Sequence, residues 1–339
     1  MDLLPTEEQS EIVSTVRAQL GSDFDLHDLA SADGATTVVD AALWNQCAEL
    51  GWFALGLAEA DGGIGYGLVE ETLLFEELGA HCTPGPFLAT VLAAHTAAAA
   101  GATDLVAAIT SGTSRVALAE AESTDAVVSS TSVKGSFRLT DHGGADLALV
   151  LDGDRCAIVL LNGAAVKPEE SIDLLVPLAS ADLDTSPAAF AEDPAIGLRA
   201  TVLTAALLTG IAKATAAQST EYAKDREQFG RPVGSFQAVK HRCADMAVRS
   251  DAAEQLTHLA ALAVTGGHED AAFQAEAARV VAGDSAIANA EVNVQNHGGI
   301  GFTWEHTAHR YVTRARVWST QAGDRRTHLR SFLDQPAPA

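Results

Sequence analysis

Positive charge is scarce in this 339-residue chain, where 21 Lys and Arg stand against 45 Asp and Glu for a formal net charge of −24. So anionic a surface excludes nucleic acid and anionic membranes as general partners, because both reward cations and repel like charge. An anionic ligand would need a local basic patch. Cysteine is scarce as well: Cys47, Cys82, Cys156 and Cys243 lie far apart with no CxxC pair. That excludes a disulfide framework and a zinc-type cysteine cluster, and reads as reduced thiols of a cytosolic protein. A basic-then-apolar leader is missing, since the chain begins with the acidic "MDLLPTEEQSEIVSTV", so no export is expected. The most apolar run, "FLATVLAAHTAAAAGATDLVAAI", contains His95, Gly101 and Asp104 and is mostly Ala. It falls short of the ~20 strongly apolar residues of a membrane span.

What is present is a large globular core. With 47% hydrophobic and 19% charged residues the chain is not disordered, and its length suggests about two domains. Three textures follow one another. From Thr6 to about Ala108 the period is helical: "TEEQSEIVSTVRAQL" opens on a capping-box pattern, Thr6 with Gln9, and puts Ile12, Val13 and Val16 on one face. "DAALWNQCAELG" and "LVEETLLFEELGAHC" repeat that period, with "LAEADGGIGYG" expected as a flexible loop between them. From about Arg115 to Leu178 short apolar runs alternate with turn residues, and Asp152-Gly153 between two Val/Leu/Ile-rich runs predicts a hairpin. After "TSPAAFAEDPAIG", expected as a turn-rich linker, helical texture returns in three long stretches starting at Leu198, Gly234 and Glu269. Long helices packed antiparallel predict a C-terminal four-helix bundle.

This α, then β, then α order, together with three motifs, resembles the acyl-CoA dehydrogenase family over nearly the whole chain. The motifs are "WNQCAELGWFALGLAEADGGIGYGLVEETLLFEELG", "DREQFGRPVGSFQAVKHRCADM" and "QNHGGIGF". The resemblance implies an α+β acyl-CoA dehydrogenase fold with an N-terminal helical domain over 1–112, a shortened middle β domain over 113–190 and a four-helix bundle over 195–335. It also implies FAD at a subunit interface and removal of two hydrogens from Cα and Cβ of an acyl-CoA thioester. In family register Arg226, Phe229, Gln237, Gln295, Gly298 and Gly299 contact FAD. A guanidinium offers phosphate a fixed fork of donors, and glycines let backbone N–H groups approach a ligand. Taken singly, Arg226 reads sooner as an i,i+4 surface partner, and Gly298-Gly299 sooner as a join between helices; it is their occurrence together in family register that favours cofactor contact.

Dehydrogenation needs a carboxylate to take the α-proton. The family's two positions for that base align with Ala322 and about Ala200, and neither residue is an acid. Asp324, Glu192 and Asp193 are the nearest substitutes, of which Asp324 is the candidate retained. The middle domain departs too: "LAEAESTDA" keeps Glu120 without the family's proline and glycine, and "GSFRLTDHGG" has no tryptophan. Motifs lent to a neighbour's FAD are intact while those for the chain's own flavin ring and thioester are degraded. This pattern resembles the non-catalytic partner in α2β2 acyl-CoA dehydrogenases of actinobacterial steroid side-chain degradation.

The expected function is therefore the FAD-completing subunit of a cytoplasmic heterotetramer acting on a bulky, steroid-like acyl-CoA held mainly by the partner. Electron-transfer flavoprotein or a similar protein is the expected acceptor. Two alternatives stand beside it: a self-sufficient homotetramer with an unusual base, and a flavin-free scaffold. No metal is expected. His297, Glu305, His306 and His309 cluster in sequence but complete no closed ligand set, and these histidines are expected to cap helices and pack.

Overall fold

The computed structural model describes residues 4–24, 26 and 39–336. Its first helix, α1 (Glu7–Asp23), starts where the capping box puts it. Gln9 N–H donates to the Thr6 hydroxyl at 3.2 Å and Thr6 N–H donates to the Gln9 side chain at 2.9 Å. Two exposed N–H groups at the helix start are thereby satisfied. Among the described residues four further α-helices precede the sheet: α2 (Ala41–Glu49), α3 (Leu68–Ala80), α4 (Phe87–Ala99) and α5 (Thr103–Thr110).

The "LAEADGGIGYG" segment is ordered rather than flexible. Gly63, Ile64, Gly65 and Tyr66 donate back to the carbonyls of Ala58, Ala54, Leu57 and Leu55 at 2.9–3.2 Å. A Cβ on Gly63 would lie 2.1 Å from the Leu57 carbonyl oxygen. Glycine here serves close backbone packing, which a reading of Gly as a sign of mobility misses.

The chain divides into two compact units. One holds Gly34–Glu71 and Pro84–Ala200; the other holds Met1–Asp33, Thr72–Thr83 and Thr201–Ala339. In the first, eight strands run from β1 (Val116–Ala121) through β2 (Val127–Val128), β3 (Val133–Thr140), β4 (Leu147–Asp152), β5 (Arg155–Leu160), β6 (Val166–Glu169) and β7 (Leu178–Thr185) to β8 (Ala189–Glu192). The sheet order is β6-β7-β3-β1-β4-β5-β8, with β2 on β3, and only the β1/β4 pair is parallel. The expected hairpin is present: Asp152 pairs with Arg155 and Gly153 takes φ 61° in the two-residue turn. Strand β8 corrects the linker expected at "TSPAAFAEDPAIG". Its two fully buried residues, Ala189 and Ala191, are small, and Phe190 between them packs on the core of the sheet's other face, so no apolar alternation shows; the flanking prolines mask the pairing to β5. Helix α4 is buried on almost every side and packs on β1, β4, β5 and β8. Its apolar run is sheet-covering core.

The second unit is helical. It contains α6 (Pro194–Asp225) from Thr201 on, a short hairpin of β9 (Glu227–Gln228) and β10 (Arg231–Pro232), then α7 (Gln237–Thr265), α8 (Ala271–His297), α9 (Ala308–Trp318) and α10 (Arg325–Asp334). Three long helices form the bundle, and the two short ones both pack on α8. Asn289 fastens the long three: its amide donates to the carbonyls of Ala212 on α6 and Met246 on α7 at 3.1 and 3.0 Å. Among the described residues α6 is the one helix long and apolar enough to cross a membrane, and 78% of its apolar window is buried inside the chain, as in a core helix.

Candidate functional site

Three helix ends meet at one end of the bundle: the C-terminus of α6, the N-terminus of α7 and the C-terminus of α8. Tyr222 joins them, since its ring stacks on His297 with centroids 4.2 Å apart and its hydroxyl donates to the His297 carbonyl at 3.3 Å. This contact sets the end of α6, which runs on into 226–237, against the end of α8 at 295–299, the two stretches that carry the six residues the resemblance assigns to FAD.

Arg226 follows α6 directly, and its backbone carbonyl accepts from Val233 N–H at 2.7 Å, closing the hairpin. At the hairpin tip Phe229 and Gly230 take φ 56° and 75°. A left-handed conformation suits Gly230 but strains a phenylalanine, and Phe229 is 91% exposed. Strain and exposure at one aromatic mark a side chain held outward for contact. Gln237 is the first residue of α7 and is exposed, as are Gln295, Gly298 and Gly299. Gly298 ends α8 at φ 66°, ψ −141°, a region that only glycine readily enters. Gly299 has no such backbone demand, and a Cβ built on it meets nothing within 4 Å. Among the described residues nothing asks for glycine there.

The electrostatics reverse the sign of the molecule locally. Residues 226–242 carry Arg226, Arg231, Lys240 and Arg242 against Glu227 as the one carboxylate. The Arg231 guanidinium lies 4.1 Å from the Phe236 ring centroid. No side-chain ion pair involves any of the four cations among the described residues. On a chain of net charge −24 these are unneutralised donors aimed at solvent, the basic patch an anionic ligand requires. Beside them Ile300, Phe302 and Trp304 are exposed large apolar residues.

The two candidate base positions hold Ala322 and Ala200, neither of them an acid. Ala322 sits at φ 52° in a turn fixed by Arg279, whose buried guanidinium donates to the carbonyls of Ser319, Gln321 and Gly323 at 2.9–3.2 Å. His328 adds a bond to the Ala322 carbonyl at 3.0 Å. Asp324 is committed elsewhere: it caps α10, accepting from Thr327 N–H and hydroxyl at 2.8 Å each. Those bonds hold its carboxyl below the usual range, which weakens it as a proton acceptor. Asp193 likewise caps α6 through Ala195 N–H at 2.9 Å, and Glu192 lies exposed on β8.

Ala200 is buried, and its neighbour Arg199 pairs with the carboxylate of Glu71, which His95 Nε2 also meets at 2.9 Å. Burial works to raise the Glu71 carboxyl, but His95 and Arg199 outweigh it and hold it below the ordinary value. A second buried cluster joins Glu76, Lys213, Glu254 and His258. Lys213 Nζ bonds both carboxylates, at 3.0 Å to Glu76, and His258 Nε2 lies 2.8 Å from Glu76. Ligand atoms of Glu76, Glu254 and His258 come within 4.8 Å of one another, but the Lys213 ammonium already fills the cationic place. Sequence reasoning found neither cluster. Their signal was faint: charged residues on otherwise apolar helical faces.

With the geometry in hand, the family follows from comparison. Residues 6–108 match the acyl-CoA dehydrogenase N-terminal domain and residues 199–334 the acyl-CoA dehydrogenase C-terminal domain. The chain belongs to the acyl-CoA dehydrogenase family. Acyl-CoA dehydrogenase IpdE2 of Mycobacterium tuberculosis is 31% identical over 324 residues, covering 92% of each chain. Among solved structures, the ChsE4-ChsE5 complex of Mycobacterium tuberculosis superposes with TM-score 0.87 at 24% identity over 99% of this chain and 100% of that one. A Tcur3481-Tcur3483 steroid acyl-CoA dehydrogenase gives 0.85 at 25% identity over 97% of each. The open glycine turn and the unpaired arginine fit an anionic dinucleotide.

Proposed function

We propose that this chain is the cofactor-completing subunit of a cytoplasmic, hetero-oligomeric acyl-CoA dehydrogenase whose FAD lies at a subunit interface. Arg226 and the exposed backbone of Gly298 and Gly299 hold the phosphate-bearing part of FAD, with Phe229, Gln237 and Gln295 flanking it. When bound, FAD supplies the acceptor for the hydride leaving the acyl Cβ. The partner subunit supplies the α-proton base and most of the acyl-CoA site. The observation that carries this reading is the contrast within one chain: an unneutralised cationic and glycine platform beside base positions filled by Ala322 and Ala200.

Resemblance in fold to a ChsE4-ChsE5 complex and to a steroid acyl-CoA dehydrogenase supports a partner of the same family and a bulky steroid acyl group. An electron-transfer flavoprotein or similar carrier would reoxidise the cofactor. The test is flavin stoichiometry. The chain alone should carry little flavin and no activity, and co-expression with the acyl-CoA dehydrogenase subunits of its own genome should restore both with one of them. Arg226→Ala in that complex should strip most of the flavin, because a phosphate-binding guanidinium has no substitute. A yellow, active homo-oligomer of this chain alone would overturn the reading, and full flavin in the Arg226→Ala complex would point to a scaffold instead.

A further inference from the structure

Within the helical unit four charged side chains converge from three helices: Glu76 on α3, Lys213 on α6, and Glu254 with His258 on α7. The backbones that carry them are held close. A Cβ on Gly210, about one turn before Lys213, would lie 2.0 Å from the Glu76 carbonyl oxygen, so α3 and α6 touch at this level. Buried Thr209 and Thr257 share a hydroxyl hydrogen bond at 3.0 Å, which ties α6 to α7 next to His258. The frame is thus set by contacts that owe nothing to the four charges, as a preorganised site requires.

Three of these side chains offer ligand atoms. Glu254 and His258 are spaced i,i+4, which puts both on one face of α7. Glu76 meets them from α3, and ligand atoms of the three lie within 4.8 Å of one another. Ligands about 2.0–2.2 Å from a zinc-type ion stand about 3.4 Å apart at the tetrahedral angle, so small side-chain rotations close the set. Glu76 Oε1 and His258 Nε2 give a second, independent sign. They are 2.8 Å apart and both atoms are buried, yet neither makes a well-directed hydrogen bond among the described residues. Buried polar atoms are ordinarily satisfied by directed bonds. Two that converge without pointing at each other are placed to share a third atom.

The charge balance agrees. Lys213 Nζ bonds both carboxylates, but one ammonium offsets only half of their negative charge. A divalent ion would offset all of it. The lysine is partly exposed on a flexible four-carbon stem and can turn out to solvent, whereas Glu76 is 4% exposed and forms the floor. Glu254 is also partly exposed, which leaves that side open for water to complete the coordination.

We propose that Glu76, Glu254 and His258 form a divalent-metal site of the zinc type, gated by Lys213, whose ammonium holds the place until an ion displaces it. One imidazole with two carboxylates suits Zn2+ or Co2+ better than the all-oxygen sets favoured by Ca2+ and Mg2+. Bound metal cross-links α3 to α7, and its uptake is independent of where FAD binds.

The test is Co2+ titration of the isolated, chelator-treated chain at about pH 7.5, read by visible absorption. The wild type should take up one ion with the strong bands of four- or five-coordinate cobalt, and Zn2+ should displace it and raise the thermal midpoint by several degrees. His258→Gln and Glu254→Gln, with folding checked by circular dichroism, should each lose those bands. Lys213→Met should bind about tenfold tighter or more, because two ion pairs to the ammonium no longer compete; Lys213→Gln serves if methionine there prevents folding. A wild type without the bands, bands that persist in both ligand variants, or a Lys213 variant that binds no tighter would each overturn the gated site.

Discussion

Gly299→Ala separates a glycine needed for folding from a glycine needed for a ligand. At Gly299 the backbone is not left-handed and an added Cβ meets nothing within 4 Å. The methyl group therefore costs the folded chain nothing by contact, and it restricts the unfolded chain. The expected change in stability is between zero and a gain of about 0.4–1 kcal/mol. At Gly298, φ 66° and ψ −141° make alanine strained, at about 1–3 kcal/mol. Thermal unfolding of the isolated chain should then leave Gly299→Ala within a few degrees of wild type and lower the midpoint of Gly298→Ala by several. In the co-expressed complex the order of severity need not follow stability, because under the proposed function a methyl on this turn must displace the cofactor. Overlap of that size costs roughly 1–3 kcal/mol, which is about a 5- to 150-fold loss of flavin affinity. A Gly299→Ala complex with wild-type flavin content, or a Gly299→Ala chain that unfolds early, would refute the argument that this glycine answers to something outside the chain.

Other perturbations follow from the same contacts. Glu76→Ala leaves Lys213 and His258 buried without their carboxylate and should destabilise the helical unit by about 3–5 kcal/mol in denaturant titration. Glu76→Gln should additionally remove a pH effect. Burial alone would lower His258, but the Glu76 hydrogen bond and charge raise it above its ordinary value. Its contribution is thus complete below about pH 6.5 and lost as pH rises through the raised value. Stability of the wild type against the variant across that range checks the sign. Asp324→Ala should cost about 0.5–2 kcal/mol as a lost helix cap and leave turnover of the co-expressed complex intact; abolished turnover would restore it as a base.

Features set by neighbours in sequence were legible, and those set by distant neighbours were not. Thr6 with Gln9, and Asp152 with Gly153, carry their geometry in a few consecutive residues, so the first helix start and the β4/β5 hairpin could be read directly. Strand β8 could not, because Ala189 and Ala191 pair with β5 through the backbone and show no apolar alternation. Glu71 meets Arg199 across 128 residues and Lys213 meets Glu76 across 137. Neither separation leaves a periodic mark, and each acid looks like an ordinary helical surface residue until the packing buries it. The cofactor motifs were readable in family register, but their physical distinctiveness was not. That Arg226 makes no ion pair among the described residues, and that Phe229 is strained and exposed together, are facts of three-dimensional placement.

The glycines make the division between folding and function concrete. A Cβ on Gly79 would lie 2.0 Å from the Leu207 carbonyl oxygen, and one on Gly210 would lie 2.0 Å from that of Glu76. Both are fixed by the close approach of α3 and α6 within the helical unit, and replacing either must push two backbones apart. Gly298 is fixed by its own dihedral angles. Gly299 is constrained by none of these, although it sits between segments that contribute an unpaired arginine, an outward phenylalanine and two exposed glutamines. If folding alone had shaped this end of the bundle, alanine would serve at Gly299 and reduce the entropy of the unfolded chain. Glycine there makes physical sense when the missing neighbour belongs to a ligand or to another subunit, so Gly299→Ala tests whether the site faces outward.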